Sequence, residues 1–180
     1  MKTVIIGNSG SGKTWLAREL AKNLFVPVVH LDEMFWEPGG FNRKRNIEEI
    51  ASLVHKSKLS TGWIVEGLFG DLAAHYLEDA ETLVWLDFPW PVCEARLVRR
   101  GSESKQHMNR EQSEQGLKEL LAWACNYYSR EDMRSREGHK ALFIAFPGIK
   151  VRREDEAAVV GLVKGAQQTA GADGFAAAPW

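Results

Sequence analysis

Residues 7–14 run Gly7-Asn8-Ser9-Gly10-Ser11-Gly12-Lys13-Thr14, a complete G-x-x-x-x-G-K-[ST] pattern. Glycines let backbone N–H groups converge without Cβ interference. A helix starting at Lys13 turns its positive N-terminal end toward the same point. Such a turn grips a polyphosphate. Its amides take the oxygens, the Lys13 ammonium reaches the β- and γ-phosphates, and the Thr14 hydroxyl can ligate Mg²⁺. The flanks agree: Val4-Ile5-Ile6 is a short β-branched strand, and Leu16, Leu20 and Leu24 follow at helical spacing. The expected ligands are therefore a nucleoside triphosphate and Mg²⁺.

The rest of the chain alternates in the same way. Val28-Val29-His30-Leu31-Asp32 is expected as a second strand, Trp63 to Gly67 as a third, Thr82 to Phe88 as a fourth and Ile149 to Arg153 as a fifth. Helical spacing is found at Asn46–Leu59, Leu117–Arg130 and Glu154–Lys164, a short helix is expected after a capping Asp71, and Pro91 suits the first turn of another. Pro38-Gly39-Gly40 marks a loop, and residues 137–146 fit helix or strand equally. This alternation predicts an α/β fold, a parallel sheet with helices on both faces, and ligands at the carboxyl ends of the strands. The expected organisation is one domain over 1–164 with a lid insertion at about 101–130, then a flexible Gly/Ala tail over 165–180.

Three carboxylates are expected at that strand edge. Glu66 and Asp87 are the candidates to sit near Thr14 and hold Mg²⁺ or its water. Asp32, further out on the acceptor side, suits orienting or deprotonating a substrate hydroxyl; the competing reading is a turn-forming Asp. His30, beside it, fits a core histidine. Two arginine groups, Arg96, Arg99 and Arg100, then Arg130, Arg134 and Arg136, flank the lid region. Arginine suits the spread charge of a phosphoryl group in transfer, although cations also favour helix C-termini without any ligand. Phe35, Trp36 and Phe41 suit the lining of an acceptor pocket, and Arg43-Lys44-Arg45 suits an anionic acceptor or plain solvation. Trp63, Trp85 and Trp123 are expected in the core.

Global charge supplies no case for non-specific nucleic-acid binding, because 23 basic against 24 acidic residues leave a formal charge of −1; nucleic acid stays open as a partner without that support. Two cysteines make neither a disulfide framework nor a four-cysteine zinc site, and both are expected as reduced core thiols. No apolar run reaches the roughly 18–20 residues of a membrane span. The expected setting is cytoplasmic, without a membrane partner, as monomer or homodimer, with a nucleotide and a small acceptor as partners.

The order of these motifs resembles a known family. The early glycine loop, His30-Leu31-Asp32, Trp36-x-Pro38-Gly39, Trp63-Ile64-Val65-Glu66-Gly67, Leu86-Asp87-Phe88-Pro89 and Arg96-Leu97-x-x-Arg100 are similar to adenylate-kinase-like proteins of the FlaR type, called DNA topology modulation proteins. Tyr128, Arg130, His139, Phe146 and the segment Gly148 to Val151 extend the likeness to about residue 163. The resemblance implies a three-layer P-loop NTPase fold of the nucleoside-monophosphate-kinase type, with a five-stranded sheet ordered 2-3-1-4-5 and a small helical lid. It implies γ-phosphoryl transfer from ATP with Mg²⁺, with Arg96 approaching the adenine or phosphates, Arg100 beside it, and Arg130 acting from the lid. The family's other implied role is that of a regulatory ATPase with a DNA- or protein-related task. One departure stands out: Gly67-Leu68-Phe69-Gly70 occupies the place of the Gly-Phe-Pro-Arg of true adenylate kinases. A small hydroxylated acceptor, as in shikimate- or gluconate-kinase-like enzymes, is the alternative to a nucleoside monophosphate.

Overall fold

The structure is a computed structural model describing residues 1–38, 43–101 and 110–171. Strand β1 (Lys2–Gly7) lies at the centre of a five-stranded sheet. The others are β2 (Val28–His30), β3 (Trp63–Gly67), β4 (Thr82–Leu86) and β5 (Ile149–Arg153). Every pairing is parallel, and the order is β2-β3-β1-β4-β5. The register sets Ile5 beside Glu66 and Gly7 beside Leu86. The carboxyl ends of β3 and β4 are thereby brought to either side of the glycine loop.

Eight α-helices flank the sheet: α1 (Lys13–Leu24), α2 (Leu31–Phe35), α3 (Ile47–Lys58), α4 (Gly70–Leu77), α5 (Trp90–Arg100), α6 (Arg110–Cys125), α7 (Arg136–Ala145) and α8 (Glu156–Gly171) among the described residues. Strand alternation sorts the core into two layers. Val4, Ile6, Trp63, Val65, Leu83 and Trp85 face one layer, with α2, α3, α4 and α7 supplying its other side. Ile5, Ile64, Val84 and Leu86 face the other, packed against Leu16 and Leu20 of α1, Cys93 of α5 and Val159 and Leu162 of α8. Both layers are apolar because a parallel sheet is covered on both faces.

Several boundaries depart from the sequence expectation. β2 stops at His30, and Asp32 lies in the first turn of α2 rather than on a strand. Asp71 does not cap α4; Phe69 holds that position, and the Asp71 carboxylate instead pairs with Arg134 at 2.8 Å. The segment 137–146 resolves to helix, capped by Ser135 accepting from the Gly138 amide at 3.0 Å. Helix α8 runs to Gly171, well into the segment expected as a tail, while 172–180 lie outside the described residues. Residues 102–109 of the expected lid and Phe41 also lie outside them. Trp123 is 39% exposed on α6 and Cys125 is exposed too, so neither is core.

A buried polar chain joins the two halves of the edge behind the site. The Trp85 indole donates to the Tyr127 hydroxyl (3.2 Å), which pairs with His139 Nδ1 (2.9 Å), while His139 Nε2 meets the Leu68 carbonyl at 2.8 Å. A carbonyl only accepts, so Nε2 carries the proton and Nδ1 accepts from Tyr127. Every polar atom in the chain is thus satisfied with a neutral imidazole. Burial pushes the His139 pKa down from 6.5 to about 4. The unfolded chain binds this proton more readily, so the stability it supports is complete above about 6.5 and is lost as pH falls toward about 4. Its share is roughly 2 kcal/mol by pH 5. Urea unfolding of wild type and His139→Gln at pH 7.5 and 5 will show a shallower acid slope in the variant; equal slopes would refute the assignment.

Candidate functional site: a phosphate-loop cleft

The loop between β1 and α1 is shaped by two left-handed glycines, Gly10 at φ +80° and Gly12 at φ +96°. A Cβ on Gly10 would stand 2.5 Å from the Cys93 carbonyl oxygen, so neither the conformation nor the space admits a side chain there. The loop's carbonyls are taken up from outside. Lys13 Nζ donates to the Asn8 carbonyl at 2.9 Å, and Arg96 Nη1 donates to those of Gly10 (3.3 Å) and Ser11 (2.9 Å). The amides of Lys13, Thr14 and Trp15 begin α1 and have no intrahelical acceptor, and no side chain caps them. The Ser11 hydroxyl is buried without a partner among the described residues. This donor-rich turn fits a polyanion. Asn8 anchors it: its Nδ2 donates to the Ala124 carbonyl at the end of α6 (3.0 Å), and its Oδ1 accepts from the Ser9 amide (2.8 Å).

A cleft of about 680 Å³ opens over this turn, lined by Ser9 to Trp15, Asp32, Glu66, Phe88, Arg96, Leu97, Arg99, Arg100, Glu156, Val159 and Val160. Glu66 ends β3 inside it, 6% exposed. A single oxygen, Oε1, accepts both the Thr14 hydroxyl (3.0 Å) and His30 Nδ1 (2.6 Å). Burial works to raise the Glu66 carboxyl, but the His30 hydrogen bond, Lys13 and the Thr14 hydroxyl outweigh it and hold it below its ordinary value. The same bond, against burial, raises the His30 imidazole. His30 therefore belongs to the site and not to the core. Asp32 faces the cleft with no hydrogen bond to its carboxylate among the described residues. Asp32 is exposed at the cleft; the protein crowding it and the Glu66 charge act to raise its carboxyl, and Lys13 opposes them.

Thr14 and Glu66 meet as a hydroxyl–carboxylate pair beside the loop, a donor set that suits Mg²⁺, which takes few protein oxygens and keeps waters or phosphates. Asp87 is placed otherwise. Its side chain is 1% exposed, holds Arg136 bidentately (2.8 and 2.8 Å) and also receives Arg152 (3.0 and 2.6 Å). It does not line the cleft and cannot serve as a metal ligand while so engaged.

The predicted cations divide as well. Arg96 and Arg100 line the cleft, and Arg96 also lies over the Phe88 ring at 4.5 Å and pairs with Glu156 at 2.6 Å. Arg130 does not line it; its guanidinium donates to the Arg134 carbonyl (2.9 Å) and lies over Trp123 at 4.3 Å. Arg43 is outside the cleft, paired with Glu37 at 3.0 Å, and Trp36 packs edge-on against Phe35 at 4.7 Å. Trp15, Phe88, Glu156, Val159 and Val160 line the cleft and were not legible as site residues. Trp15 follows Thr14 directly and Phe88 stands two residues past β4, whereas Glu156, Val159 and Val160 lie within α8, away from any motif.

With this geometry in hand, residues 4–116 match a family model described as AAA domain. The chain belongs to the AAA domain family. No curated protein matches it. Among solved structures, this AAA domain is similar to a shikimate kinase from Acinetobacter baumannii in complex with shikimate, at 15% identity and a TM-score of 0.54 over 94% of this chain and 92% of that one. It is also similar to a deoxyadenosine kinase from M. mycoides with products dCMP and a flexible dCDP bound, at 16% identity and a TM-score of 0.53 over 94% of this chain and 100% of that one. At such identities the likeness is one of fold: a three-layer P-loop NTPase architecture of the nucleotide-kinase kind. No helix among the described residues is long and apolar enough to cross a membrane.

The two assignments for Asp87 are separable. Asp87→Asn will lower unfolding free energy by about 2–3 kcal/mol, the low end for a broken buried pair because both arginines are partly solvated. Mg²⁺-ATP affinity by calorimetry will stay within about twofold of wild type if Asp87 is not a metal ligand.

Proposed function

We propose that this protein is an ATP- and Mg²⁺-dependent phosphotransferase that moves the γ-phosphoryl group to a small acceptor bearing a hydroxyl. The observation that carries this reading is the meeting of Thr14 and Glu66 beside the loop amides, with an Asp32 carboxylate, unpaired among the described residues, in the same cleft. An ATPase needs the first part; a kinase also needs a group to receive the acceptor's proton. Asp32, exposed in the cleft lining, supplies it.

The roles follow from placement. The loop amides, Lys13 and the cleft arginines bind the polyphosphate. Thr14 and Glu66 hold Mg²⁺, which supplies charge neutralisation on the phosphates. Asp32 orients the acceptor hydroxyl and takes its proton as its oxygen attacks the γ-phosphorus and the bond to the β-bridging oxygen breaks. Arg134 lies over both Phe35 and Phe69 at 4.5 Å near the loop after β3, but its guanidinium is paired with Asp71 and does not line the cleft, so it is given no part in binding the acceptor. The motif order quoted above supports placement in the FlaR-type branch.

Incubation with γ-labelled ATP and a panel of nucleosides, nucleotides and hydroxylated acids tests the reading. Label on a small acceptor supports it. ATP hydrolysis with no transfer to any acceptor would favour a regulatory ATPase with a DNA- or protein-related role. Lys13→Ala will cut turnover by at least about 100-fold while the variant keeps the circular-dichroism spectrum of the folded wild type. Glu66→Gln will weaken Mg²⁺-dependent ATP binding about tenfold and leave metal-free ADP binding unchanged.

A further inference from the structure

The cleft has two unlike ends, and topology separates them. Asp32 follows β2 and Glu66 lies near the end of β3, on one side of central β1. Arg96, Glu156, Val159 and Val160 belong to α5 and α8, which follow β4 and β5 on the other side. With the acceptor base at the first end, the γ-phosphate lies there, and the remainder of the nucleotide extends toward the second. That second end is not built for phosphate alone. Val160 is 40% exposed and, with Val159, makes an apolar wall facing the cleft.

Trp15 completes it. Its indole is 49% exposed although it lines the cleft, and it stands one residue beyond Thr14 on α1. Helix α1 packs on α8 through Leu16 and Leu20 against Val159, Leu162 and Val163. The indole is therefore carried on the helix that adjoins the valine wall. A polyphosphate has no use for an exposed indole. A nucleobase does, because every base offers a flat face that stacks on an aromatic ring.

We propose that Trp15 is the nucleobase platform of this cleft, holding the base of a purine nucleotide against the Val159–Val160 wall. Recognition then has two separable parts: the tail by the loop, the nucleoside by Trp15. This rests on the ATP-binding reading above, and the experiment separates their failures. ADP and inorganic tripolyphosphate are titrated calorimetrically into wild type, Trp15→Phe and Trp15→Ala. Trp15→Ala weakens ADP about tenfold and shifts tripolyphosphate less than twofold, and Trp15→Phe recovers most of the loss. Tryptophan emission of wild type changes with ADP but not with tripolyphosphate, and Trp15→Phe loses that change. Equal weakening of both ligands in Trp15→Ala would mean that Trp15 acts through the loop, and unaltered ADP affinity would mean that it touches no base; either overturns the proposal. A wild type that binds neither ligand sinks the phosphotransferase reading itself, and this one with it.

Discussion

The turn after β1 works because its carbonyls and its amides are treated differently. A buried peptide group needs a partner for both ends. Here the carbonyl ends are satisfied by the protein's own cations, Lys13 on Asn8 and Arg96 on Gly10 and Ser11. The amides of Ser9 and Ser11 bond back to Asn8, while those of Lys13, Thr14 and Trp15 at the start of α1 have no acceptor within the helix. That asymmetry requires glycine at φ +80° and +96°, requires α5 to come close enough to deliver Arg96, and requires β3 to deliver Glu66 beside Thr14. The register of β1 with β3 and β4 meets those demands. The site is thus a property of the sheet as much as of the eight-residue motif.

Much of this was legible in the sequence, for identifiable reasons. Residues 7–14 combine a strand, glycines and a helix start in one local pattern, so their arrangement needs no distant information. The five strands are short, β-branched and bounded, and parallel topology follows from the intervening helices. Glu66 could be found because it ends a strand, and strand ends meet in such sheets. Where apolar periodicity was weak, at 137–146, a serine cap decided for helix.

What stayed hidden depends on contacts between distant segments. Asp87 and Glu66 look alike in sequence, each an acid closing a strand. They part because Arg136 and Arg152, 49 and 65 residues away, converge on Asp87. His30 looks like a core residue by alternation, yet β2 ends there and its imidazole turns to Glu66. Arg130 keeps company with a tryptophan and a backbone carbonyl instead of the cleft. Trp15 lies outside the leucine stripe of α1, and periodicity says nothing about a residue on the polar side of a helix.

The Asn8 carboxamide has a mechanical meaning. It is the second residue of the phosphate-gripping turn, and its amide nitrogen is spent on the last carbonyls of α6, 116 residues away. Pulling α6 outward would strand a polar group in a place without solvent, at a cost of about 1–3 kcal/mol. The end of α6 is in that sense pinned to the floor of the cleft, and the pin is a side chain of the phosphate-gripping turn itself.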